Sequence, residues 1–347
     1  MPTIKIADSH DKRRWDDYVI SQADAGPYHL FAWKEAVESA YGHRAIYLIA
    51  EDNKGIVQGV LPLFLVKPPF LKGTLVSLPF CDYGGVLTHN EEVKDVLLQT
   101  AWELSIKHKA QLELRLKKPE TMAHSLSSLS VTSHKARMVL DLPENSDNLW
   151  DTFKSKLRSQ IKRPQKDGLD FVLGSFDLVD DFYKVFSVNM RDLGSPVHSR
   201  TWIKAVVHSY ADKSHIGIVY AGKLPIAGGI ILKCNTTVSL PWASALNEYS
   251  QSSPNMLLYW GFLKYASDNG FRHFDLGRST PGEGTYRFKE QWGALPVPLF
   301  WYGEGFSNPS GHDVANKIRP IIEKTWARIP QKVTDTLGPM VRRFITL

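Results

Sequence analysis

Hydrophobic and polar positions along the chain follow a pattern that occurs twice. Val76-Ser77-Leu78-Pro79 and Val238-Ser239-Leu240-Pro241 are identical and lie 162 residues apart. At that spacing residues 92–108 fall on 254–270. In the first copy Val93, Val96, Leu97, Ala101 and Leu104 keep the i, i+3, i+4 spacing that gathers apolar side chains on one helix face. Leu112-Glu113-Leu114-Arg115 falls on Phe274-Asp275-Leu276-Gly277, two short alternating runs that read as strands. Upstream, 45–67 and 215–234 each place two apolar runs about a turn, Asp52-Asn53-Lys54-Gly55 and Ala221-Gly222-Lys223, which is a hairpin signal. Gly59 matches Gly228 at a spacing of 169, because the first copy carries seven extra residues around Lys67-Pro68-Pro69.

Each half therefore predicts hairpin, strand, helix, strand. A helix crossing between two parallel strands leaves a crevice at the strands' C-terminal ends. The expected fold class is α/β (α+β), with two tandem lobes, each a mixed sheet flanked by helices. Residues 1–145 would form the first lobe and 146–305 the second. Residues 306–347 would form a basic amphipathic helical tail. A chain of 347 residues is long enough for two cores.

Composition narrows the class. The longest apolar runs fall short of the ~18 residues a membrane helix needs. The first 17 residues lack the apolar core of a secretory signal, so a cytoplasmic location is expected. Cys81 and Cys234 are the only cysteines and sit far apart. The 12 histidines show no HExxH or H-x-H spacing, so neither a disulfide framework nor a metal centre is expected. The net charge of +6 is concentrated. Segment 151–168 carries six Lys/Arg against two acids, and 317–347 carries seven against two. Such patches suit a phosphate-bearing partner or an anionic surface. Lys154–Lys166 reads as a basic helix that Pro164 ends near Arg163, suited to a nucleic-acid backbone. Prolines 320, 330 and 339 cut the tail into short basic pieces that either rest on an anionic membrane or pack on their own domain.

Hairpin–strand–helix–strand is the core of the GNAT acyltransferase fold, and two such lobes in tandem resemble the FemAB family of aminoacyl transferases. Residues 153–171 resemble the basic helix that opens the second Fem lobe. Residues 242–260 resemble that lobe's central strand and following helix. Thr285–Gly293 resembles the family's F-K-x-x-aromatic motif. The set Met190–Val197, Phe274–Thr280 and Phe288–Ala294 looks most like the FemAB-related proteins of exosortase-associated exopolysaccharide systems. The resemblance spans residues 10–305. At Phe31–Val37 and Pro196–Trp202 the charge pattern departs from that of ligases that branch peptidoglycan, so it does not extend to a muramyl-peptide acceptor.

The resemblance implies amide formation. An aminoacyl group would pass from aminoacyl-tRNA to an amine of a cell-envelope precursor. The alternative is transfer from acyl-CoA to an amino sugar in exopolysaccharide biosynthesis. A reading of another class is a non-catalytic GNAT-like module that binds tRNA or a protein partner. No cofactor is implied beyond the donor itself.

Acyl transfer to an amine needs positioning, a donor or cation for the oxyanion, and a cradle for phosphate. Neither a G-x-S-x-G elbow nor a catalytic-cysteine context is present. Lys289 matches the motif lysine and would stabilise the oxyanion, with Phe288 walling the acyl pocket. Arg278, at a strand end before Gly282 and Gly284, would hold donor phosphate. So would Ser253 and Asn255, which cap and open a helix whose first-copy counterpart starts with Glu91 and Glu92. Trp242 and Ser244 lie on the strand where the copies diverge and would line the substrate site. Asp82, as an amine-binding carboxylate or base, and Tyr83 would face the acceptor across the lobe interface. Arg191 and His198 are further substrate-side candidates, with Arg191 and Asp192 ordering each other on a loop.

Overall fold

The structure, a computed structural model, describes residues 2–120, 126–132, 134–304 and 320–347. Two compact units divide them. The first holds the chain up to Ala136 together with Pro298–Glu304 and Phe344–Leu347; the second holds Arg137–Val297 and 320–343. Residues 306–319 of the expected tail lie outside the described residues.

The first unit is a seven-stranded sheet in the order β1 (Thr3–Ile6), β2 (Arg44–Glu51), β3 (Val57–Val66), β4 (Gly73–Val76), β5 (Ala110–Leu116), β14 (Phe300–Glu304), β6 (Leu129–Thr132). Strands β2 and β3 form the expected antiparallel hairpin. Helix α3 (Glu91–Lys107) carries the chain from β4 to β5, which pair in parallel. Val93, Leu97, Leu98 and Ala101 of α3 pack on Ile46, Leu48, Leu61 and Leu63 of the hairpin. Helices α1 (Lys12–Ser21) and α2 (Phe31–Tyr41) complete the unit.

The second unit repeats this plan. After β7 (Ala136–Asp141), α4 (Ser146–Thr152) and α5 (Ser155–Lys166) come β8 (Leu169–Gly174), α6 (Val179–Asp192), α7 (Arg200–Tyr210) and the hairpin β9 (Ser214–Ala221) and β10 (Leu224–Cys234). Strand β11 (Thr237–Ala245), helix α8 (Pro254–Asp268) and strand β12 (His273–Ser279) follow, then α9 (Gly284–Glu290) and β13 (Leu295–Pro298). The sheet order is β13-β7-β12-β11-β10-β9-β8, with β11 and β12 parallel. Helix α8 is apolar on most sides because it is buried on most sides. Met256, Leu257, Leu258, Phe262, Leu263 and Ala266 join Ile226, Ile231, Val238 and Phe274 of the sheet in one core. Each such side chain contributes about 1.5–3 kcal/mol by leaving water.

Three expectations change. The division at 145 and 305 moves, because Phe300–Glu304 joins the first sheet. There it pairs with Glu113–Leu116 on one side and Leu129–Thr132 on the other, and so covers an edge of β5 that would otherwise be left unpaired. Helix α5 does not stop near Arg163; Pro164 is buried in its last turn and the helix runs on to Lys166. Arg191 and Asp192 end helix α6 rather than lying on a loop.

Candidate active site of the second unit

The cleft begins where two parallel strands part. β11 and β12 pair only from Thr237↔His273 to Ser239↔Asp275, yet β11 continues to Ala245 and β12 to Ser279. The departure has a local cause. The β10–β11 register jumps between Ile230↔Trp242 and Leu232↔Ser239, so β11 carries an extra residue at Leu240-Pro241. A bulge bends its strand, and proline removes a ladder donor. Beyond it, Ala243, Ser244 and Ala245 line a cleft of about 830 Å³, with Asn189 and Asp192 from α6, the start of α8, and Arg287, Phe288 and Lys289 from α9.

Lys289 is buried in this wall, and its ammonium donates to the Gly277 and Arg278 carbonyls at 3.1 and 2.8 Å. Consecutive carbonyls of a strand point opposite ways. Gly277 lies at φ 76, a left-handed kink that lets both reach one nitrogen. Asp275 secures the same bend: its carboxylate accepts from the Gly277 N–H at 2.9 Å and pairs with the Arg137 guanidinium at 2.8 Å. Phe288 stands edge-on to Tyr259 at 4.9 Å, and Tyr259 stacks on Trp292 at 6.1 Å. Burial pushes the Tyr259 phenol well above its ordinary value. The sequence singled out Phe288 and Lys289 but not Tyr259, whose place in an apolar helix looks like core packing.

The start of α8 faces the cleft through Ser253, Pro254 and Asn255. Ser253 was expected to cap this helix and does not. It sits at φ 51, ψ 48, and its side chain makes no capping bond. A capping side chain needs the extended backbone at that position. The positive end of α8 therefore opens into the cleft with no acid in its first turn. In the first unit, Asn90 caps α3 through the Val93 N–H, and Glu91 and Glu92 occupy the first turn. Glu91 also pairs with Lys94.

The matching opening in the first unit is filled. Position 277 is glycine; its counterpart is Arg115, fully buried. The Arg115 guanidinium donates to the Leu78, Cys81 and Thr346 carbonyls at 3.1, 2.8 and 2.8 Å and pairs with Glu113 at 2.7 Å. Here the chain leaves the strand at Val76. Leu78 and Phe80 adopt left-handed backbone, and the Phe80 N–H bonds to the Thr346 carbonyl.

The other candidates fall elsewhere. Arg278 contributes its carbonyl to Lys289 and is not among the cleft-lining residues. Trp242 packs edge-on against His198 and Trp202, each at 6.3 Å, away from the cleft lining. His198 is buried, and desolvation, then Arg342, holds its imidazole well below its ordinary value. Arg191 pairs with Asp192, which lines the cleft. Asp82 and Tyr83 belong to the first unit. The Asp82 carbonyl accepts from Trp301 Nε1 at 2.9 Å; Tyr83 is buried edge-on to Tyr28 with the Lys117 ammonium 4.4 Å from its ring centre. The structure thus gathers Lys289, Phe288, Ser244, Ser253 and Asn255 in one cleft and leaves the other six outside it.

A second hollow of about 550 Å³ adjoins the cleft through shared Gln160 and Gln291, with Lys154 and Lys156 in its lining. Lys154, Lys156, Lys162, Arg163 and Lys166 are exposed along α5, which buries Leu157, Ile161 and Pro164.

The bulged strand and the uncapped helix start both lie in a stretch that a family model matches. Residues 152–290 match the family described as Acetyltransferase (GNAT) domain. The whole chain has the fold of FemX: TM-score 0.68 at 14% identity, covering 86% of this chain and 96% of that one. It is also similar to the C-terminal domain of a putative lysylphosphatidylglycerol synthetase from Agrobacterium fabrum, with TM-score 0.58, 11% identity, and 90% and 97% of the two chains covered. A tandem GNAT protein from the clavulanic acid biosynthesis pathway matches with TM-score 0.56 at 13% identity over 87% and 98%. No curated protein matches the chain in sequence. Residues 152–290 thus match a GNAT acetyltransferase domain, and the chain shares its two-unit fold with FemX and a tandem GNAT protein.

Proposed function

We propose that the cleft of the second unit holds a phosphate-bearing acyl donor and that the enzyme forms an amide on an amine of a cell-envelope or exopolysaccharide precursor. The observation that carries this reading is the pairing of an uncapped, acid-free α8 start with the parted ends of β11 and β12. Phosphate sits at the α8 start, where the helix dipole favours an anion and no side chain caps the helix. The donor carbonyl lies along the edge of β11 beyond Ser239, which β12 no longer occupies, and backbone N–H groups there take the oxyanion. The buried charge of Lys289 adds to this field while holding the end of β12. The Asp192 carboxylate attracts the acceptor as its ammonium and takes the proton through water. The neutral nitrogen attacks the carbonyl, the carrier's ester or thioester bond breaks, and the nitrogen's second proton passes through water to the leaving oxygen or sulfur.

The donor we favour is aminoacyl-tRNA. The exposed lysines and arginine of α5 adjoin the cleft through Gln160 of the same helix, and FemX shares the fold. The second reading is acyl-CoA, favoured by the acetyltransferase family that 152–290 matches. Titrating deacylated tRNA against salt separates them. Three to five phosphate contacts predict log K falling with log salt at a slope of about −2 to −4, flattened by Lys156→Glu with Lys162→Glu. A flat slope, with turnover on acyl-CoA, selects the second reading. Turnover with neither donor removes the enzymatic assignment.

A further inference from the structure

Helix α10 (Gln331–Arg342) turns its small side chains inward and its large apolar ones outward. Thr334 and Gly338 are its buried residues. Gly338 lies so close to Val197 that a Cβ there would sit 3.0 Å from the Val197 nitrogen. The adjoining face carries Val333, Leu337, Met340 and Val341 at i, i+4, i+7 and i+8, and all are exposed, Leu337 by 44% and Met340 by 62%. The preceding helical residues 320–327 add Ile321 and Ile322, 65% and 57% exposed. A helix that only covered its own domain would be built the other way round. A solvent-facing aliphatic stripe of this kind marks an interaction surface.

Charge selects the occupant. Lys324, Arg328 and Lys332 are exposed in the same segment, 320–342. Residues 320–347 hold five Lys/Arg against two acids, Glu323 and Asp335. Asp335 already accepts from Gln331 Nε2 at 2.7 Å, and Glu323 is part-buried. Exposed aliphatic side chains interspersed with lysine and arginine in one surface segment fit an anionic bilayer, with the stripe among acyl chains and the cations at the headgroups. Among the described residues no helix is long and apolar enough to cross a membrane, so the contact is at the surface.

The position of this surface ties it to the cleft. Helix α10 packs on α6. Gly194, two residues past Asp192, lies against the Glu323 backbone so closely that a Cβ would come within 2.4 Å of the Glu323 carbonyl oxygen. The same α6 supplies Asn189 and Asp192 to the cleft. We propose that α10 and residues 320–327 form a docking surface for an anionic lipid bilayer. Its consequence, delivery of a lipid-linked amine acceptor to the cleft, rests on the proposed function; the lipid binding itself does not.

The test is flotation of the full chain with vesicles of phosphatidylcholine, alone or with about 30 mol % phosphatidylglycerol, at physiological salt. The expected bound fraction rises about tenfold or more with the anionic lipid. Leu337→Glu with Met340→Glu should abolish it. Lys324→Glu with Arg328→Glu should reduce it to the neutral-vesicle level. Both pairs lie on exposed positions, so an unchanged thermal midpoint certifies the fold of each variant. Negligible binding to both vesicles overturns the proposal, as does binding that survives Leu337→Glu with Met340→Glu. So does light scattering that shows a dimer broken by that pair without lipid binding, which assigns the stripe to a second copy. Lipid binding without acyl transfer keeps this inference and removes the functional reading; the reverse result keeps only the functional reading.

Discussion

The Lys289 ammonium and the Arg278 carbonyl are 2.8 Å apart, and this bond ties α9 to the end of β12 at the wall of the cleft. One cation thus secures two consecutive carbonyls, and its residue lines the cleft where the donor carbonyl is proposed to lie. Lys289→Met should lower unfolding stability by about 1–3 kcal/mol, because two carbonyls lose their donor. Single-turnover amide formation should fall by about 100-fold or more. Urea unfolding and rapid-quench turnover on the same preparation check both. A stable variant with unchanged turnover removes Lys289 from the chemistry.

Tyr259 offers a cleaner separation. Its hydroxyl makes no hydrogen bond among the described residues, while its ring is held between Phe288 and Trp292. Tyr259→Phe should leave stability within about 0.5 kcal/mol. If the phenol contacts donor or acceptor, kcat/KM should drop by about tenfold; equal kcat/KM would make Tyr259 part of the wall alone.

Arg115 should behave as a structural residue. Arg115→Leu strips the half-buried Glu113 carboxylate of its guanidinium partner and takes one donor from each of three carbonyls. A loss of about 3–5 kcal/mol is expected, read by urea denaturation. Donor affinity of the folded fraction should stay within about twofold, since the proposed site lies in the second unit.

Acid sensitivity follows from two buried histidines. Burial, reinforced by Lys117, holds the His29 imidazole down to about 3 from 6.5, and desolvation lowers His198 in the same direction. Their folded values lie below the unfolded ones, so the unfolded chain binds more protons as pH falls through 6.5. The contribution is fully present above about pH 6.5 and is lost progressively toward pH 3 for His29. His29 accepts from the Gly26 N–H through Nδ1 and faces the Gly85 carbonyl through Nε2. His29→Gln should flatten the stability–pH slope between pH 4 and 6 relative to wild type. Urea midpoints across that range would check it, and parallel slopes would contradict it.

The repeated unit was legible because local chemistry and packing agree there. The hairpins, β4–α3–β5 and β11–α8–β12 appear where apolar spacing and turn residues placed them. The difference between copies was also readable at Glu91 and Ser253, since acids at a helix start can be seen without a structure. Strand β14 was not. Its membership in the first sheet is decided by an unfilled edge of β5 far away in sequence. Arg115 was read as the end of an alternating run, and only the structure shows three carbonyls converging on it. Trp242 was drawn to the site by its place on the diverging strand, and His198 was a further substrate-side candidate. Their places are set by a shared aromatic contact that no spacing encodes.

The account turns on which helix start receives the donor's phosphate, and calorimetric titration with coenzyme A and with deacylated tRNA measures it directly. Ser253→Glu places an acid at the α8 start, while Ser253→Gly relieves its left-handed backbone without adding charge. The account predicts one carrier site per chain. Ser253→Glu should weaken it by about tenfold or more, and Ser253→Gly should retain it. Wild-type affinity in Ser253→Glu, for whichever carrier binds, would contradict it.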